Sequence, residues 1–111
     1  MHLKSHFYKI FVITGIISNL LFAQTFEISG RIKDEAGDNV PMARLTLYSS
    51  KYQLVETERT KSNGKFKFKK IKPGKYTLNI YGSGGKSASK EIDLTSKSVT
   101  KLEVLTSQDD K

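Results

Sequence analysis

The sequence predicts an all-β fold, an antiparallel seven-stranded Greek-key β-sandwich. Three observations carry this. Apolar and polar residues alternate with period two in short segments along most of the chain after residue 24. Turn chemistry separates those segments: Asp34-Glu35-Ala36-Gly37-Asp38-Asn39, Asn63-Gly64, and Pro73-Gly74. No segment shows a helical period, and about seven short strands at this spacing fit a sandwich.

The elements follow in order. Phe26, Ile28, Gly30 and Ile32 alternate with Glu27, Ser29, Arg31 and Lys33, as in a half-buried first strand. Ala43, Leu45 and Leu47 alternate with Arg44, Thr46 and Tyr48 in a second. Gln53 to Thr60 reads as a third, with Leu54, Val55 and Thr57 beside exposed Glu56 and Glu58. Asn63-Gly64 is a strong hairpin signal, because both residues accept positive φ. Phe66 and Phe68 then alternate with Lys65, Lys67 and Lys69 in a fourth strand. At Pro73-Gly74 the proline presets φ and the glycine suits the positive-φ site of a type II turn. Tyr76, Leu78 and Ile80 form a fifth strand, and Gly82 to Gly85 a flexible loop. Ser87 to Leu94 and Val99 to Leu105 complete the set, with Ile92, Leu94, Leu102 and Val104 facing inward. Residues 107–111 read as a flexible polar tail.

The first 23 residues have another character. Met1 to Lys9 carries two lysines and no acid, and Ile10 to Ala23 is an apolar run ending in a small residue. This is the pattern of a secretory signal peptide cleaved near Ala23-Gln24. The run is too short to span a bilayer, which takes about 20 residues. Residues 1–23 are therefore expected to be removed, leaving 24–106 as one sandwich domain that is periplasmic or secreted. No stable membrane insertion of the mature chain is expected. Beyond residue 23 the basic residues outnumber the acidic ones, and the whole chain carries a formal charge of +8. Such an excess draws a protein toward anionic surfaces. For an exported chain those are acidic polysaccharides and lipid head groups, with nucleic acid excluded.

Several motifs together resemble the carboxypeptidase regulatory-like domain, a transthyretin-like (prealbumin-like) sandwich. Gly30-Arg31-Ile32-Lys33-Asp34-Glu35-Ala36-Gly37 with Val40-Pro41 is similar to the family's first motif. Thr60-Lys61-Ser62-Asn63-Gly64-Lys65-Phe66 and Pro73-Gly74-Lys75-Tyr76-Thr77-Leu78 are similar to the other two. The resemblance makes Gly30, Gly37, Pro41, Asn63, Gly64, Phe66, Phe68, Pro73, Gly74 and Tyr76 the fold-defining residues. It covers about Phe26 to Val104. One departure is Lys61, where the family usually has Asp after the threonine. The resemblance implies a stand-alone accessory module linked to the bacterial cell envelope.

Chemistry narrows the function further. His2 and His6 are the only histidines, there is no Cys or Trp, and both histidines lie in the expected signal peptide. A Ser-His-Asp triad, a Cys-His pair and a His zinc site are all excluded from the mature chain. No enzyme, cofactor or metal is expected. Asp34, Glu35, Asp38 and Asn39 have the oxygen ligands calcium prefers, but the spacing matches no known calcium loop and a solvated turn explains them. Lys33 stands near the place of an isopeptide lysine in related adhesin repeats, yet Val99 to Leu105 has no Asn to receive it.

The run from Lys65 to Lys75 is the one candidate site. Lys65, Lys67, Lys69, Lys70, Lys72 and Lys75 are candidate anion contacts, or else the wet side of a strand whose phenylalanines fill the core. Tyr48, Tyr52 and Tyr81 are candidates for stacking on sugar rings. Three readings follow: a non-catalytic envelope module that binds a partner protein or acidic polysaccharide; a weak polyanion binder acting through the lysine-rich segment; and a structural protein self-assembling through strand edges.

Overall fold

The structure, a computed structural model, describes residues 24–108. The expected signal peptide, residues 1–23, lies outside the described residues. Among those described, no helix is long and apolar enough to cross a membrane.

Eight strands form two sheets. They are β1 (Phe26–Lys33), β2 (Arg44–Ser49), β3 (Leu54–Arg59), β4 (Lys65–Ile71), β5 (Lys75–Tyr81), β6 (Lys86–Asp93), β7 (Val99–Leu105) and β8 (Ser107–Gln108). One sheet has the order β4-β1-β7 and the other β3-β2-β5-β6-β8. The β-sandwich class is as expected, with two refinements. β1 and β7 pair in parallel, while the other pairs are antiparallel. Ser107 and Gln108, expected in the tail, pair with Ser87 and Lys86 of β6 as an eighth strand.

Alternation decides what is buried. Ile28 and Ile32 of β1, Phe66 and Phe68 of β4, and Val104 of β7 face Leu45, Leu47, Leu78, Ile80 and Ile92 of the other sheet. The Phe66 and Phe68 rings meet edge to face, 6.1 Å between centroids, a favoured aromatic geometry. Each fully buried aliphatic or aromatic side chain contributes roughly 1.5–3 kcal/mol of transfer free energy. The one stretch where alternation slips is Lys69-Lys70-Ile71. Lys70 has φ 56° and adds a residue against β1, so two lysines in succession are exposed before Ile71 returns to the core. Lys101, φ 58°, makes the matching bulge in β7.

β3 differs from expectation. Register pairs Leu45 with Glu58 and Leu47 with Glu56, so the two glutamates share the core-side face, both half-buried. Leu54 and Val55, expected inward, are 59% and 43% exposed. The tight turn from Ser49 to Gln53 fixes this register, and Val55 is an extra residue in the ladder. A one-residue slip moves every side chain of a strand to the opposite face.

The motif residues have structural tasks. Thr60 is buried; its hydroxyl donates to Val40 O (2.7 Å) and accepts from the Ala43 amide (2.8 Å). It thereby ties the segment before β2 to the end of β3. Tyr76 OH donates to Lys72 O (2.6 Å), closing the side chain over the Pro73-Gly74 turn. Two turns are not the expected types. At Asn63-Gly64 only Gly64 has positive φ (78°). Asn63 instead uses Oδ1 to accept from the Lys65 amide (3.1 Å), and the turn passes the chain from one sheet to the other, so β3 and β4 form no hairpin. At Gly74 φ is 157°, positive as expected but far from the type II value.

Candidate functional site: a basic groove on the three-stranded sheet

With Ile28, Ile32, Phe66, Phe68 and Val104 on the core side, the intervening residues of β1, β4 and β7 stand on the opposite face. Register sets them in rows. Lys65 lies opposite Arg31, which lies opposite Glu103; Lys67 lies opposite Ser29. Like charges directly opposed on neighbouring strands are destabilising, so the Arg31–Lys65 pair is unfavourable, relieved in part by Glu103 on the other side of Arg31. The nearest relief for the lysines is weak: Lys67 Nζ is 4.0 Å from Glu27, and both side chains are substantially exposed.

A groove of about 1050 Å³ runs over this face and around the β4 edge to β3. Lys65, Lys67 and Lys69 line it, joined by Arg31, Lys101, Lys61 and Arg59. Against these seven cations stand three carboxylates, Glu56, Glu58 and Glu103. Glu56 holds its proton more tightly than an ordinary glutamate, first because burial disfavours its charged form and then because Glu58 repels it.

The six candidate lysines therefore divide. Lys65, Lys67 and Lys69 come together in the groove. Lys70 stands on the bulge, and Lys72 and Lys75 lie beyond the strand; none of these three lines it. Lys75 pairs in register with Asp93, whose carboxyl titrates below its usual range through the Thr95 hydroxyl and amide and, less, through Lys75. Arg31, Lys61, Arg59 and Lys101 come from three other segments, which only the fold brings to the groove.

The loop of Asp34, Glu35, Asp38 and Asn39 is a capped turn. Asp34 Oδ1 accepts from the amides of Ala36 (3.0 Å) and Asp38 (2.9 Å), and Oδ2 accepts from Lys86 Nζ (3.1 Å). The Asp38 amide and then Lys86 hold the Asp34 carboxyl below its usual range. No group of three potential metal ligands occurs among the described residues. The candidate tyrosines lie on the other sheet. Tyr48 and Tyr81 stand on its outer face, and Tyr52, 85% exposed, tips the β2–β3 turn.

Residues 27–106 match the family model of the carboxypeptidase regulatory-like domain. The chain belongs to that family. Thr60 and Tyr76, with their hydrogen bonds, show why two of its motifs recur: they secure turns. Comparison with curated proteins finds no match. Solved structures share the fold. The Bacillus anthracis TIE protein superposes with TM-score 0.64 at 23% identity, over 76% of this chain and 17% of that one. The group B streptococcus pilus 2b backbone protein gives 0.61 at 13%, over 78% and 42%. PA1324 of Pseudomonas aeruginosa, a candidate carbohydrate binding protein, gives 0.50 at 14%, over 78% and 90%. The regulatory-like chain thus spans less than two thirds of the first two proteins. At these identities the likeness concerns the fold.

Proposed function

We propose that this regulatory-like domain is an exported, non-catalytic module of the cell envelope that binds acidic polysaccharide in the basic groove. The observation that supports it is the gathering of seven cations from four segments around one groove, with Arg31 and Lys65 set opposite each other as an unfavourable pair. An anionic polymer laid in the groove offsets that repulsion. A concave groove suits a linear chain better than a flat bilayer. The basic, then apolar, residues before Ala23 support export. Assembly through strand edges is the weaker reading. Lysines crowd β4, β3 turns two glutamates inward, and β7 is bulged, all devices that blunt edges.

Heparin, an acidic polysaccharide, serves as the probe. Changing Lys65, Lys67 and Lys69 together to Gln is expected to weaken heparin affinity about tenfold, since exposed ion pairs contribute up to about 1 kcal/mol each. The triple change of Lys70, Lys72 and Lys75 to Gln removes the same charge outside the groove and should cost much less. Equal losses would show that net charge alone is responsible.

Acidification supplies a second check. As pH falls toward the carboxylate range, Glu56 takes up its proton ahead of ordinary glutamates, and the groove loses a negative charge. Heparin sulfates stay ionised there, so affinity should rise as pH falls. In Glu56→Gln that rise should be reduced and the affinity at neutral pH increased. An identical pH dependence in the two proteins would remove Glu56 from the groove's electrostatics.

A further inference from the structure

The outer face of the five-stranded sheet holds a different arrangement. Register aligns Thr57, Thr46, Asn79 and Ser89 in one row across β3, β2, β5 and β6. This row carries no charge. Two residues away along the strands in one direction stand Tyr48 and Thr77, and in the other Arg44 and Tyr81.

The polar row has unspent hydrogen-bonding capacity. Ser89 donates its hydroxyl to Asn79 Oδ1 (2.9 Å). That fixes the amide and leaves both Nδ2 hydrogens as donors. Thr46 is only 8% exposed, and its Oγ1 is buried without a partner among the described residues. An orphaned buried hydroxyl is costly. One of the other χ1 rotamers carries the hydroxyl to the place the methyl group now holds.

The rings flank that row. Tyr81 is 45% exposed, and the Arg44 guanidinium lies 5.2 Å from its ring centroid. The arginine covers one side of the ring and steadies it. Tyr48 is half-buried beside exposed Leu54. The rows of Tyr81 and Tyr48 are four residues apart along the strands, about 13 Å. An aromatic ring presents an apolar face to the C–H side of a pyranose, while amides and hydroxyls satisfy its hydroxyl groups.

We propose that this face binds a neutral oligosaccharide, with sugar rings over Tyr81 and Tyr48 and sugar hydroxyls on Asn79 and Thr46. The row between the rings is uncharged and suits a neutral chain, with the nearest cation, Arg44, lying over the Tyr81 ring. The site is separate from the basic groove and does not depend on it.

The test applies the mature chain to an array of neutral glycans and measures the best binder by calorimetry. Tyr81→Ala, Asn79→Ala and Thr46→Val should each weaken it about tenfold, the effect of one lost stacking or hydrogen-bonding contact. Tyr81→Phe keeps the ring and should keep the affinity. Thr46→Val also removes the orphaned hydroxyl, so its melting temperature should hold or rise while binding falls, which separates ligand contact from loss of fold. Joint Lys67→Gln and Lys69→Gln changes should leave neutral-glycan binding intact. The proposal is overturned if no neutral glycan binds, or if binding survives all three weakening variants. It is also overturned if Tyr81→Ala instead dissociates a dimer in sedimentation, because the face then meets a second copy.

Discussion

Gly30→Ala is expected to lower the melting temperature by more than about 10 °C. Gly30 lies opposite Leu102 where β1 and β7 run in parallel. A Cβ built on Gly30 would overlap the Leu102 carbonyl, with the Leu102 Cβ 2.9 Å away. The obstacle is backbone, which cannot swing aside as a side-chain tip does. β7 is an edge strand whose ladder partner is β1, so the added methyl pushes it off the sheet and draws Val104 from the core. Overpacking of this kind costs about 3 kcal/mol, and each kcal/mol lowers Tm by roughly 4–8 °C in a domain of this size. Gly84→Ala is the control. Gly84 has positive φ, but nothing lies within 4 Å of its would-be Cβ, so its cost is limited to backbone strain of about 1–2 kcal/mol. Equal melting temperatures for the two variants would contradict the β1–β7 register.

Thr60→Val should be nearly as damaging although it preserves shape. It removes the hydroxyl that serves Val40 O and the Ala43 amide at once. Leaving a buried polar group unpaired costs about 1–3 kcal/mol, so two of them cost about 2–6 kcal/mol. Thr60→Ser restores the hydroxyl and should recover most of the loss in denaturant unfolding. Should Thr60→Val unfold at the same denaturant midpoint as the parent, the bridging role of the hydroxyl would be refuted. The prediction explains why threonine stands at this place in the family motif; the bridge involves no side chain of Lys61, one residue on. Lys61 engages the turn through its backbone: its amide donates to Lys65 O and its carbonyl accepts from Gly64.

Where side chains alternate against a full core, the fold was legible in the sequence. Ile28, Leu45, Phe68, Leu78 and Ile80 each sit inward as their spacing indicates. β3 was not legible because it is an edge strand over the rim of the core. Its facing is set by the Ser49–Gln53 turn and the Val55 bulge, with little apolar burial to enforce one side. The parallel β1–β7 pair joins the two ends of the domain, and no local pattern encodes such a contact. The candidate site was half legible for the same reason. Lys65, Lys67 and Lys69 share a face by simple alternation, and the Lys70 bulge then breaks it. Arg31, Lys61, Arg59 and Lys101 reach the groove only through topology.

Chemical-shift mapping with a short heparin oligosaccharide tests the basic groove most directly. Amide and side-chain signals of Ser29, Arg31, Lys65, Lys67 and Lys101 should move together along one binding curve, while Lys72, Lys75 and the face bearing Thr46 and Asn79 stay still. Shifts spread evenly over all exposed lysines, or centred on Lys72 and Lys75, would contradict an acidic-polysaccharide site on the three-stranded sheet.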